Sequence, residues 1–270
     1  MEIIPLTIII ILVLGFLRIM FSATSDYTGE YIIRHFVNRY LLIRPIKLEH
    51  LHILERKSEY YQNLNEANKR LFAKRVGKFI SMKKFIARGN LKEVTDEMKT
   101  LIAASAIKIT FGYPAIYFQS FWKIIIYPEA YYSTITKKRH HGEINLRGLM
   151  VFSWKRFKEG YENYEDGVNL ALHEMAHALI AENRTNNYEF DFLNNENLIA
   201  FDDYFKVEKE KILKDDKSFF RNYAAVNEHE FFSIVVENFF ERPKELNKYD
   251  HNLYKLTSKI LKQDLLTQHN

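Results

Sequence analysis

The sequence predicts an α+β fold dominated by helices, on three observations. Apolar residues recur at helical intervals among Lys, Arg and Glu over most of the chain beyond residue 30. Two short runs, "WKIIIYP" (122–128) and "GLMVFSW" (148–154), read instead as strands, the first for its β-branched density and its stop at Pro128. Hydrophobic residues make up 47% of the 270, and aromatics 15%, which is enough for a sizeable core and excludes disorder as the dominant state.

In chain order, "IIPLTIIIILVLGFL" (3–17) comes first. As a helix it rises about 22 Å, short of a ~30 Å hydrocarbon core, so the span is expected to use Ile19 to Phe21 while Arg18 snorkels. A cleaved signal peptide would need a basic start, yet only Glu2 precedes the run, and no clear cleavage site follows. Residues 1–22 are therefore expected to be a single-pass anchor. Arg18, Arg34 and Arg39 put the following chain on the cytoplasmic side of the cytoplasmic membrane. Residues 23–49 read as a polar linker and an amphipathic helix, suited either to the membrane surface or to the core. Residues 50–270 are expected to form one globular domain.

Within that domain, residues 51–89 look helical until Gly89-Asn90 breaks them. A second helix is capped by Thr95, carries Asp96 and Glu97 in its first turn, and ends at Gly112. After the two strands, "VNLALHEMAHALIAEN" (168–183) is a helix opening just after Asp166-Gly167, and "NRTNNYEFDFLNNEN" (183–197) follows as loop. Helices are expected over 204–218 and 227–241, the latter ending before Pro243, with a last amphipathic one over 253–266.

Net charge is +5 and the pI about 9.0, but basic and acidic residues alternate without a sustained basic stripe, so no direct nucleic-acid binding is expected. There is no cysteine. Any metal must be held by His, Asp or Glu. His173 and His177, four apart on a helix, can direct both imidazoles at one ion, and the adjacent Glu174 is the residue type that takes a proton from a metal's water. The competing reading is a helix whose histidines are merely satisfied in the core. A catalytic zinc needs a third protein ligand. Glu228, His229 and Glu230 are the downstream candidates, with Glu230 and Glu237 seven apart on the edge of a buried stripe. Glu230 also stands three after Asn227, as in a capping box, and the residues alone leave both roles open.

"DGVNLALHEMAHAL" with "YAAVNEHEFFSIVVENFFERPKEL" resembles the Mlc titration factor A family of zinc-dependent peptidases. The resemblance extends to "VTDEMKTLIAASA", "IIIYPEAY", "GEINLRGLMVFSW" and "LTSKILKQDLL", over roughly residues 50–265. It implies a glutamate-zincin similar to the catalytic domain of anthrax lethal factor, with a small sheet packed on the H-E-x-x-H helix. It implies one Zn²⁺ on His173, His177 and Glu230, with Glu174 as general base. It places Tyr223 as hydrogen-bond donor to the oxyanion, and Glu237 as the carboxylate orienting a zinc histidine. His229, beside Glu230, is expected to point away and be exposed. The Asp that usually follows the second histidine in that family is missing; Glu182 or Asn183 stands in its region.

The expected function is a membrane-anchored cytoplasmic zinc peptidase acting on peptide or protein substrates, with the strand at 148–154 as the edge that holds substrate extended. The alternative is a membrane-tethered binding protein that sequesters a transcriptional regulator, which would tolerate loss of Glu174.

Overall fold

The structure, a computed structural model, describes residues 46–114, 116–133, 137–145, 147–163, 165–185, 192–214 and 218–267. The expected anchor, and all but the end of the juxtamembrane segment, lie outside the described residues. Among those described, no helix is long and apolar enough to cross a membrane.

The first helical stretch is not continuous. It divides into α1 (Leu48–Lys57), α2 (Glu59–Gln62) and α3 (Glu66–Met82), because Ser58 and Asn65 each turn a side-chain oxygen to a backbone N–H of the following helix. The end of the same stretch is a strand, β1 (Lys84–Ala87). Four residues are too few to show an alternating pattern, and β1 exists because it lies parallel to β2 (Lys123–Tyr127), Phe85 opposite Ile124. Thr95 caps α4 (Asp96–Thr110) through the Met98 N–H at 3.2 Å, as expected. Helix α4 is buried nearly all round, as suits a helix packed against α1, α3 and the histidine-bearing helix at once.

Beyond β2 come a small hairpin, β3 (Tyr131–Ser133) with β4 (Lys138–His140), then β5 (Gly142–Asn145) and β6 (Leu149–Ser153). The main sheet has the order β1-β2-β6-β5, with β5 alone antiparallel. This overturns one expectation. Strand β6, the expected substrate edge, is paired on both sides, with Ile125 opposite Val151 on one flank and Glu143 opposite Val151 on the other. The edge on that side is β5, too short and too polar to read as a strand by pattern alone.

Ser153 closes β6 and caps α5 (Trp154–Glu162). Helix α6 (Leu170–Thr185) carries the two histidines and packs on α4, α5, β5 and α8 (Glu228–Glu241). Its Leu172, Met175 and Leu179 are fully buried, each contributing about 1.5–3 kcal/mol by transfer from water. Helix α7 (Asn195–Lys214) starts nine residues earlier than expected, since Asn194 in the polar stretch accepts from the Asn197 N–H and caps it. A 3₁₀ turn (Asn222–Ala225) leads into α8; α9 (Pro243–Tyr249) and α10 (His251–Leu261) complete the chain. The tail is tied back by Gln263, whose amide donates to the Lys108 carbonyl and accepts from the Tyr60 hydroxyl. Gly112 does more than end α4. A Cβ there would sit 2.3 Å from the Lys262 carbonyl oxygen, so glycine is what lets the tail approach.

Candidate metal centre

Two buried helices bring the site together. One turn apart on α6, His173 and His177 present their Nε2 atoms 3.1 Å from each other, with the rings nearly perpendicular. Glu230 stands in the first turn of α8, where Asn227 accepts from the N–H groups of His229 and Glu230, each at 2.9 Å. The helix start is thus capped by Asn227, while the Glu230 side chain crosses to the imidazoles instead of folding back as in a capping box. Its Oε2 lies 3.0 Å from His173 Nε2 and 3.5 Å from His177 Nε2. One ligand atom from each of the three residues fits within 4.8 Å of the others.

The arrangement fits a metal ion on the residues' own chemistry. Glu230 Oε2 is buried and has no hydrogen-bond partner, though two ring nitrogens crowd it. Three side chains of the type that bind a divalent ion converge on one point. Burial pushes Glu230 up, but the two imidazoles outweigh it and hold the carboxyl well below the usual range. Burial likewise opposes charge on His173, yet the carboxylates of Glu230 and Glu237 bring it up to about 10. Of the three downstream candidates, Glu230 alone faces the histidines. His229 turns to Arg184, with Nε2 and Nη1 3.3 Å apart, and is partly exposed; Glu228 Oε1 lies 3.9 Å from the same ring nitrogen.

Behind His173, Glu237 is 1% exposed and Oε1 lies 2.8 Å from Nδ1. The same carboxylate takes both Nη atoms of Arg221, at 2.6 and 3.2 Å, and the Asn169 backbone N–H at 2.6 Å. Asn169 in turn caps α6 through the Leu172 N–H. A carboxylate at Nδ1 makes that nitrogen the donor and leaves Nε2 with its lone pair toward a metal.

In front, Glu174 is buried and its carboxyl is pushed up by that burial. Its oxygen packs against Gly142 at the start of β5, where an added Cβ would stand 2.3 Å from Oε1 and 2.6 Å from Cγ. Tyr223, on the 3₁₀ turn, is half exposed, its ring centroid 6.2 Å from that of His173. Burial and the nearby Glu230 carboxylate raise its phenol.

Glu182 and Asn183 belong elsewhere. Glu182 accepts from the Gln119 and Ser120 N–H groups and so fixes the turn before β2, while Asn183 accepts from Leu193 N–H. Sequence reasoning missed Asn169, Arg221 and Gly142. Asn169 had a signal, a cap residue directly before the helix; the other two act through approaches that no spacing announces.

A sequence model of the family described as glucose-regulated metallo-peptidase M90 matches residues 34–262. An uncharacterized protein, slr2042 of Synechocystis, is similar to this chain, 24% identical over 235 residues that span 81% of this chain and 85% of the relative.

Proposed function

The chain belongs to the glucose-regulated metallo-peptidase M90 family, and we propose that it is a zinc peptidase of the glutamate-zincin type that hydrolyses peptide bonds. The observation that supports this best is the convergence of His173, His177 and Glu230 beside a buried, proton-avid Glu174. Bound there, Zn²⁺ would supply Lewis acidity to the scissile carbonyl and acidify a water. Glu174 takes the proton of the attacking water and returns it to the leaving amine, a task that a carboxyl with a raised pKa suits. Tyr223 donates a hydrogen bond to the oxyanion of the tetrahedral intermediate. Glu237 holds the His173 ring. The edge strand β5, which carries Gly142 beside Glu174, pairs with an extended substrate through its main chain. Residues 1–22, by their sequence, anchor the enzyme in the cytoplasmic membrane.

The test is the full chain loaded with zinc, incubated with a mixed peptide library and read by mass spectrometry, beside Glu174→Gln. Cleavage that vanishes in the variant supports the reading. Absence of cleavage by wild-type protein with zinc bound overturns it and leaves the tethered-binding function.

A further inference from the structure

The position of Arg221 assigns it a task that the metal motif does not contain. Its guanidinium reaches two elements of the site, and its backbone belongs to a third. Nη2 and Nη1 donate to the two oxygens of Glu237 at 2.6 and 3.2 Å, and Nη1 also donates to the Gly167 carbonyl at 2.8 Å, in the loop that leads into the histidine helix. The third element is its own. Arg221 is the N-cap residue of the 3₁₀ turn, whose Ala224 N–H closes back on the Arg221 carbonyl at 2.9 Å, and Tyr223 lies between them.

Tyr223 is 51% exposed, and beyond the Glu230 carboxylate beside its phenol and the His173 ring it has little to hold it. Its backbone position over the site comes from its turn. The buried Ala224 and Ala225 set how deep the turn sits, while the directional bonds from its base to the carboxylate behind His173 come from Arg221. We propose that Arg221 is a positioning residue that holds His173, through Glu237, and Tyr223, through the turn, in one register, so that the metal ligand and the oxyanion donor are placed by the same side chain. This rests on the peptidase reading for Tyr223, but not for the metal. A planar fork is what the task requires. One ammonium cannot make two parallel bonds to a carboxylate and reach a carbonyl as well.

The test uses the full chain with Arg221→Lys and Arg221→Gln, each alone and combined with Tyr223→Phe. Zinc affinity is measured by competition with a chelator, and turnover on a library-derived peptide; whichever Arg221 variant keeps the wild-type circular dichroism carries the result. Zinc affinity is expected to fall about 10–100-fold, with Tyr223→Phe alone leaving it unchanged. In turnover, Tyr223→Phe should cost at least several-fold less in the Arg221 background than in wild type, with kcat rather than KM carrying the change. Unchanged zinc affinity overturns the proposal whether or not the wild type cleaves peptides. Full additivity in turnover overturns the link to Tyr223. A wild type that binds zinc but never turns over sinks the peptidase reading, and the zinc arm still decides the role of Arg221 toward His173.

Discussion

Two buried carboxylates flank His173, and they stand in opposite conditions. Glu237, behind the ring, is 1% exposed and meets four donor nitrogens: both Nη atoms of Arg221, the Asn169 N–H and His173 Nδ1. Glu174, in front, is 6% exposed, packs on the bare backbone of Gly142 and accepts no hydrogen bond from any described residue. A carboxylate with its lone pairs filled has nothing left to do but hold geometry. One whose burial outweighs the pull of two nearby imidazoles binds a proton more tightly than usual, which suits the proposed base that must later act as an acid. On the proposed reading, the back of the site stays still and the front moves protons.

Glu174→Gln tests this contrast hardest. Turnover should fall about 10³-fold or more while bound zinc per chain is unchanged; metal content and kcat measured on one preparation decide it, and loss of both together would break the contrast. Tyr223→Phe removes the proposed oxyanion donor and should cost about 10²-fold in kcat, again with zinc retained. Gly142→Ala puts a methyl group where the Glu174 carboxylate lies. Displacing the base is expected to cost on the order of 10–10²-fold in kcat with little change in zinc affinity, and a crystal structure of the variant should show the carboxylate shifted. On the other side, Glu237→Gln should show the inverse pattern, with zinc affinity about 10–100-fold weaker by chelator competition and a smaller change in kcat once zinc saturates.

The subtlest effect is in pH. Metal-free His173 keeps its proton up to about 10, so zinc uptake near neutral pH should release about one proton, measurable by calorimetry in buffers of different ionisation enthalpy. His173 has its folded pKa raised, so its contribution to stability is complete below 6.5 and is lost as pH rises through about 10. Glu230 has its folded pKa depressed from 4.5, so its contribution is complete above 4.5 and is lost on acidification. From these two groups, the metal-free protein should melt highest between about 4.5 and 6.5, and a thermal midpoint that rises from pH 7 to pH 10 would contradict the assignment.

How much of this could be read in advance varied with the range of the interaction involved. Thr95 announced α4 because a hydroxyl three residues before a free N–H is a local device, and the structure has that bond. By the same logic Asn194 should have announced α7, but a run of asparagines hid which one was the cap. Strand β1 was lost in a helical reading because four residues pair only when a distant strand is beside them. The strand at 148–154 was found, yet its place in the sheet was not, since a run of Leu, Met, Val and Phe is equally apolar at an edge or in the middle. The pairing with β5 decided that.

At the candidate metal centre the same division holds. Helix geometry determined from the sequence alone that His173 and His177 face one point with Glu174 beside them, because a four-residue spacing is a rigid local rule. Which of Glu228, His229 and Glu230 joins them depended on how the buried face of α8 packs beside α6. Arg221 and Gly142 were placed by tertiary structure outright. The first acts on a carboxylate 16 residues away, the second by the absence of an atom against a side chain on another element. Neither relation has a period or a spacing, because both arise only when separate elements come within a few ångströms of each other.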